Sequence, residues 1–219
     1  PTIHGRVDRP GYSVERVFFA STPGHYVTGS LYRPRGKDGT LLPGKLPTVL
    51  VAHGHWANGR MHDAGEATAK RDIASKAETH PANARYFLQA KAAHLARLGC
   101  VVFQYDMVGY ADSTALGHSA FADAEAELRL QNLMGLQTWN SLRALDFLAG
   151  LPEVDDKRIA MTGASGGGTQ TFLLAALDDR IAVAVPAVMV STGMQGGCVC
   201  ENASYLRVGT GNVEFAALM

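Results

Sequence analysis

Continuous apolar runs alternate along the chain with amphipathic stretches, and their periods assign the elements. Leu46 to Ala52 is apolar and β-branched at nearly every position, the pattern of a strand covered on both faces. Cys100 to Tyr105 repeats it, and Arg158 to Thr162 and Ile181 to Val185 predict a third and a fourth strand. Ala84 to Leu98, about Asp123 to Ala149, and Gly167 to Leu177 predict helices. In the longest of these, Leu130, Leu133, Met134, Leu136, Leu142, Leu145 and Leu148 make one apolar stripe. Trp139 and Phe147 read as core, and Gly150 and Pro152 as the helix stop. Strand and helix alternate, which predicts an α/β fold with a mainly parallel sheet and flanking helices. Before it, Val14 to Ala20 and His25 to Arg33 alternate as an antiparallel hairpin at the sheet's first edge. His55 to Pro81 breaks the rhythm with Arg60, His62, Asp63, Glu66, Lys70, Arg71 and Asp72, and predicts a loop or short helix over the rim.

Composition narrows the picture. A chain of 219 residues, 47% hydrophobic and 18% charged, can bury the core of one domain. Its 20 basic and 20 acidic residues cancel, so no field for nucleic acid or an anionic membrane is expected. The longest apolar runs, such as Ile181 to Val190, fall short of the roughly 20 residues that span a bilayer. Of the cysteines, Cys100 opens a strand and reads as core. Cys198 and Cys200 form a C-x-C that lacks a neighbouring histidine or third cysteine in the sequence, so they read as structural or redox loop residues. No metal and no organic cofactor is expected.

One pentapeptide carries chemistry. Gly163-Ala164-Ser165-Gly166-Gly167 lies between a predicted strand and a predicted helix. In that context G-x-S-x-G is a sharp turn that lifts a serine hydroxyl clear of the backbone at a helix N-terminus, which makes Ser165 the candidate nucleophile. All eight histidines, at 4, 25, 53, 55, 62, 80, 94 and 118, precede it. In the order nucleophile, acid, histidine, the base follows the serine. The residues after Ser165 suffice for a helix, a strand and a Gly-rich loop. The expectation is a single domain over 1–219 that lacks its last strands, with the acid and the histidine supplied by a C-terminal continuation or fragment.

Three patterns together resemble the α/β-hydrolase superfamily: Val51 to Trp56 after the first buried strand, Asp106 to Ser113 after the second, and Gly163 to Gly167 after the third. Pro152-Glu153-Val154-Asp155 leading to Arg158-Ile159, and Gly196-Gly197-Cys198-Val199-Cys200-Glu201-Asn202, are similar to the acetylxylan-esterase-like and dienelactone-hydrolase-like branch. The resemblance implies Ser165 as nucleophile, the Gly166 N–H as one oxyanion donor, and the N–H of His55 or Trp56 as the other. The side chains of His55 and Trp56 could instead line an acyl pocket. Glu201, or else Glu214, would be an acid placed earlier than usual, while His118 falls among rim residues and Asp178 and Asp179 among surface or capping groups. The implied activity is that of a serine carboxylic-ester hydrolase working through an acyl-enzyme on acetyl or other short acyl esters of carbohydrates. A serine peptidase with the same elbow, or a non-catalytic binding protein of hydrolase fold, are the alternatives. Val213, Phe215, Ala216, Ala217 and Leu218 are expected to await the missing partner segment.

Overall fold

The computed structural model describes residues 1–219. Its seven strands are β1 (Thr2–Arg9), β2 (Tyr12–Thr22), β3 (His25–Pro34), β4 (Leu46–Ala52), β5 (Val101–Tyr105), β6 (Val154–Ala164) and β7 (Ile181–Ala187). The helices are α1 (Gly65–Ala74), α2 (Pro81–Arg85), α3 (Phe87–Arg97), α4 (Ala124–Leu128), α5 (Leu133–Ala149), α6 (Gly166–Leu177) and α7 (Asn212–Ala216). All strands join in one sheet in the order β1-β2-β3-β5-β4-β6-β7. The first four are antiparallel neighbours, and β5, β4, β6 and β7 are parallel. The predicted hairpin forms as β2 and β3, but it is not the edge, because β1 adds a further antiparallel strand outside it. The sheet is therefore evenly mixed, with its parallel half confined to the side that carries the candidate chemistry.

Period-2 alternation sorts the strand residues onto two faces. Leu31, Leu50, Phe103, Tyr105, Ile159 and Met161 meet Leu145, Phe147 and Leu148 of α5 in the main core. Tyr32, Val51 and Val102 meet Ala92, Ala93 and Ala96 of α3 on the other face. Small alanines on α3 let that helix lie close to the sheet. α6 lies along the main-core side, where Leu174 joins the core. No helix is long and apolar enough to cross a membrane.

Two predicted helices and one loop differ in detail. The stretch from Asp123 to Ala149 is two helices, because Leu130 takes φ +55° and Asn132 caps a new start by accepting the Gly135 N–H at 2.6 Å. Leu130 is consequently exposed rather than part of the stripe, and Trp139 is also 43% exposed while donating its Nε1–H to the Ser21 carbonyl. The segment from Ala84 to Leu98 breaks at Tyr86, whose non-helical backbone (φ −116°, ψ 48°) separates α2 from α3. The polar excursion from His55 to Pro81 contains a 3-10 turn at Gly59–Met61 and the ten-residue α1. At the far end, Phe215 and Ala216 of α7 pack against Met134, Phe172, Leu173 and Met189, so these two apolar residues have a partner inside the chain. Val213 and Leu218 stay exposed, as do Val183 and Val185 on edge strand β7.

Candidate active site

The carboxyl ends of the four parallel strands open toward the same side, and the segments that follow them build the site. His53 to Trp56 follows β4, Asp106 to His118 follows β5, Ser165 follows β6, and the loop with Cys198 to Glu201 follows β7. The alternation of strand and helix delivers these segments to one rim even though they are far apart in sequence.

Ser165 occupies a turn between the last residue of β6 and the first of α6, with φ +57° and ψ −126°. A non-glycine residue rarely takes that conformation, which stores on the order of 1–3 kcal/mol and persists only when its surroundings impose it. The backbone on both sides does so. The Ser165 N–H donates to the Ala187 carbonyl of β7 at 3.1 Å, and its own carbonyl accepts the N–H groups of Gly168 and Thr169. Two glycines make the bend fit: a Cβ on Gly163 would stand 2.3 Å from the Gly167 carbonyl oxygen, and one on Gly167 would stand 2.5 Å from that of Ala52. The hydroxyl is half-buried and makes no capping bond to α6, which leaves it available at the positive end of that helix.

The loop after β4 touches the turn directly, since a Cβ on Gly54 would lie 2.9 Å from the Ser165 Cβ. Gly166 is the first residue of α6, where an N–H has no intrahelical acceptor. The Trp56 N–H donates to the Gly54 carbonyl at 2.9 Å, whereas the His55 N–H has no backbone acceptor. Of the two expected second donors, the His55 amide is thus the open one and the Trp56 amide is engaged. The Trp56 ring packs edge-on against Phe87.

His53 is fully buried and belongs to the scaffold. Its Nδ1–H donates to the Gly54 carbonyl and its Nε2 accepts the Met107 N–H at 3.0 Å, so one neutral imidazole ties the end of β4 to the end of β5. Burial pulls its pKa down to about 4, against the opposing effect of the Gly54 bond. Beside it, Arg60 is 2% exposed and pairs with buried Asp106. Arg60 also reaches Ser30 at 2.9 Å and Asp112 at 2.7 Å, while Thr28 donates to Asp106 at 2.7 Å. The sequence places Arg60 in a polar loop or short helix over the rim. Nothing in its neighbourhood announces burial, although Asp106 and Asp112 both fall within the pattern Asp106 to Ser113.

The reading of Cys198 and Cys200 needs correction. It rested on the lack of a nearby histidine, and the fold supplies two. His55, His118, Cys198 and Cys200 each offer a nitrogen or sulfur, and the four atoms lie within 4.8 Å of one another. His55 Nε2 is 3.0 Å from His118 Nε2 and 3.0 Å from Cys200 Sγ. His118 is turned into the group by its Nδ1–H, which donates to the Val108 carbonyl at 2.6 Å. Burial lowers the His118 pKa and pushes the Cys200 thiol up. Gly166 borders the group, with a notional Cβ 3.4 Å from His55 Cε1 and 3.6 Å from Cys200 Sγ.

Glu201 is 3% exposed. Its Oε2 accepts the N–H groups of Gly197 at 2.9 Å and Cys198 at 3.2 Å, and its Oε1 faces Gly166. Glu214 is exposed in the first turn of α7, and Asp178 caps and pairs with Arg180. Ser165, Gly166, His55 and Glu201 therefore converge, while no histidine donates to or accepts from the Ser165 hydroxyl. A larger apolar concavity, lined by Ala69, Ile73 and Tyr86 between α1 and α2, contains none of these residues.

A family model described as "Glucuronyl esterase, fungi" matches residues 56–212. Among solved structures, "Methylesterase BT1017" superposes with a TM-score of 0.70 at 31% identity, over 99% of this chain and 42% of that one. An acetyl xylan esterase from Paenibacillus sp. R4 shares the fold with a TM-score of 0.57 at 24% identity, over 84% of this chain and 52% of that one. YtaP of Bacillus subtilis (strain 168), described no more closely than as a hydrolase, is 31% identical over 144 residues, 65% of this chain and 43% of its own length. The chain thus spans about half or less of the length of the proteins it matches. Mixed sheet, flanking helices and these neighbours make the fold that of an α/β hydrolase.

Proposed function

The chain belongs to the glucuronyl esterase family, and from that premise we propose that it carries the nucleophile of a serine ester hydrolase acting through an acyl-enzyme. The observation that supports this most is the conformation of Ser165, at φ +57° between β6 and α6, with the Gly54-His55 loop against it. The Ser165 oxygen attacks the ester carbonyl carbon as its proton passes to a base. The carbonyl oxygen takes up the negative charge and is stabilised by the N–H groups of Gly166 and His55. Loss of one such donor costs about 3–4 kcal/mol of barrier. Collapse of the intermediate breaks the carbon–oxygen bond to the alcohol, which leaves with a proton, and water then releases the acid and restores the serine.

The base and the rest of the relay are proposed to come from polypeptide outside these 219 residues, in keeping with the smaller length of this chain than of its relatives and with the apolar exposure along β7. Glu201 is the acid proposed within the chain, buried and held by two amides with its second oxygen toward Gly166. The proposed substrates are acetyl or other short acyl esters of carbohydrates, since the similar proteins bear the names of acetyl xylan esterase and methylesterase. No cofactor is required by this route.

A fluorophosphonate probe applied to the full-length natural protein tests the reading. The expected result is one adduct, located at Ser165 by peptide mass spectrometry. Turnover of acetylated xylo-oligosaccharides should then exceed that of peptide amides, and Ser165→Ala should lower it by a factor on the order of 10⁶. A folded protein that stays unlabelled would end the serine reading in favour of a binding protein, and preferential amide cleavage would make it a peptidase.

A further inference from the structure

The four-residue group beside the serine turn has the composition and geometry of a metal centre. We propose that His55 Nε2, His118 Nε2, Cys198 Sγ and Cys200 Sγ bind one divalent ion of the zinc class in a closed, structural site. Two imidazoles and two thiolates are the donor set of tetrahedral zinc. With metal–nitrogen distances of about 2.0–2.1 Å and metal–sulfur distances of about 2.3 Å, the edges of such a tetrahedron run from about 3.3 to 3.8 Å. The 3.0 Å approaches of His55 and the 4.8 Å limit for the whole group bracket those edges, so small side-chain rotations suffice.

One further observation supports a resident ion. The His118 Nδ1–H is held by the Val108 carbonyl, which fixes the tautomer and turns the Nε2 lone pair toward the other three donors. This is how outer hydrogen bonds orient metal-ligating histidines.

Binding replaces two thiol protons, which leave to solvent, with two metal–sulfur bonds, and the site becomes neutral overall. Four protein ligands fill the coordination shell, so the ion does not act on substrate. Its role is to join three segments that the chain brings together from the ends of β4, β5 and β7. It thereby fixes the His55 loop against Gly166. That role in positioning the oxyanion donors rests on the serine reading, whereas the ion itself does not.

The test uses the full-length protein, first as purified without chelator and then loaded with Co2+ alone. About one zinc per chain is expected by elemental analysis, with X-ray absorption showing two sulfur and two nitrogen neighbours. The Co2+ form should show sulfur-to-metal charge-transfer absorption, and both loop thiols should become protected from a thiol reagent. Chelation should speed amide exchange in residues 54–58 and 190–208. In Cys198→Ser/Cys200→Ser the stoichiometry should fall from about one to near zero, while His62→Ala and Ser165→Ala keep the ion. A wild-type protein that takes up no stoichiometric Zn2+ or Co2+, or whose thiols stay equally reactive with either ion present, overturns the proposal without recourse to a variant. Retention of the ion by the double serine variant overturns it as well. Metal binding in a protein that fluorophosphonate does not label would sustain this inference while removing the serine one.

Discussion

Two regions meet at the rim of the sheet, and they are held by different physics. The serine turn is kept by sterics: glycine at 163 and 167 lets the backbone of β4, β6 and α6 approach to distances that no side chain permits. The neighbouring clasp, made by His53, Arg60, Asp106, Thr28 and Ser30, is kept by buried polar pairing. The turn of the first region holds no titratable side chain, and it has no room for a single added methyl group. The second tolerates changes of shape better than changes of charge, because a polar group stranded in its interior has no water to turn to. The difference teaches that one rim combines a turn specified by local contacts with a support whose cost depends on solution conditions.

The most damaging change should be Arg60→Met, which strands Asp106 without its partner. A loss of about 3–5 kcal/mol is expected in denaturant unfolding, with much of it recovered in Arg60→Met/Asp106→Leu, where no charge is left buried. If the single and double variants are equally unstable, the clasp is held by packing and the contrast fails. Next comes pH. The folded state keeps His53 neutral, with a pKa near 4 against an ordinary value of 6.5, so the unfolded chain takes up the proton first as pH falls. The stabilisation is complete above about 6.5 and is lost as pH falls toward 4, with a total of about 3 kcal/mol from this group. Unfolding free energies measured across that window should show the slope in wild type and a shallower one in His53→Asn. Equal slopes would remove His53 from the account.

On the steric side, Gly167→Ala should cost roughly 1–3 kcal/mol, because its Cβ meets the Ala52 carbonyl rather than a side chain that can swing aside. That penalty should be the same at pH 5 and pH 8, which sharpens the contrast with His53. A pH-dependent penalty would mean that the two regions are coupled. The smallest effect belongs to neither region and calibrates both. Asn132→Ala removes the side-chain cap of α5 and should cost about 1 kcal/mol by thermal unfolding, with labelling of Ser165 unchanged.

Legibility in the sequence followed the same division. The strands β4 and β5 were readable because burial on both faces leaves an unbroken apolar run, and the turn at Ser165 because its requirements fall on five consecutive residues. β1 was missed because its residues are exposed and follow no burial pattern. The break between α4 and α5 was missed because the leucine stripe runs through it, and only the φ +55° at Leu130 reveals the interruption. The burial of Arg60 was not legible, because a charged residue in a polar segment carries no sign of a partner 46 positions away.

What the chain's order of residues decided by itself was the kind of fold, the place of the sharp turn and the identity of the hydroxyl it presents. Those depend on interactions among neighbours in sequence, where period and residue type are sufficient. The tertiary structure alone decided that His55 and His118 stand beside Cys198 and Cys200, that Arg60 is buried, and that the Trp56 amide has a backbone acceptor while the His55 amide has none. Each of these depends on which loops the sheet order places side by side, and strand order is set by packing over the whole domain, which no local pattern encodes.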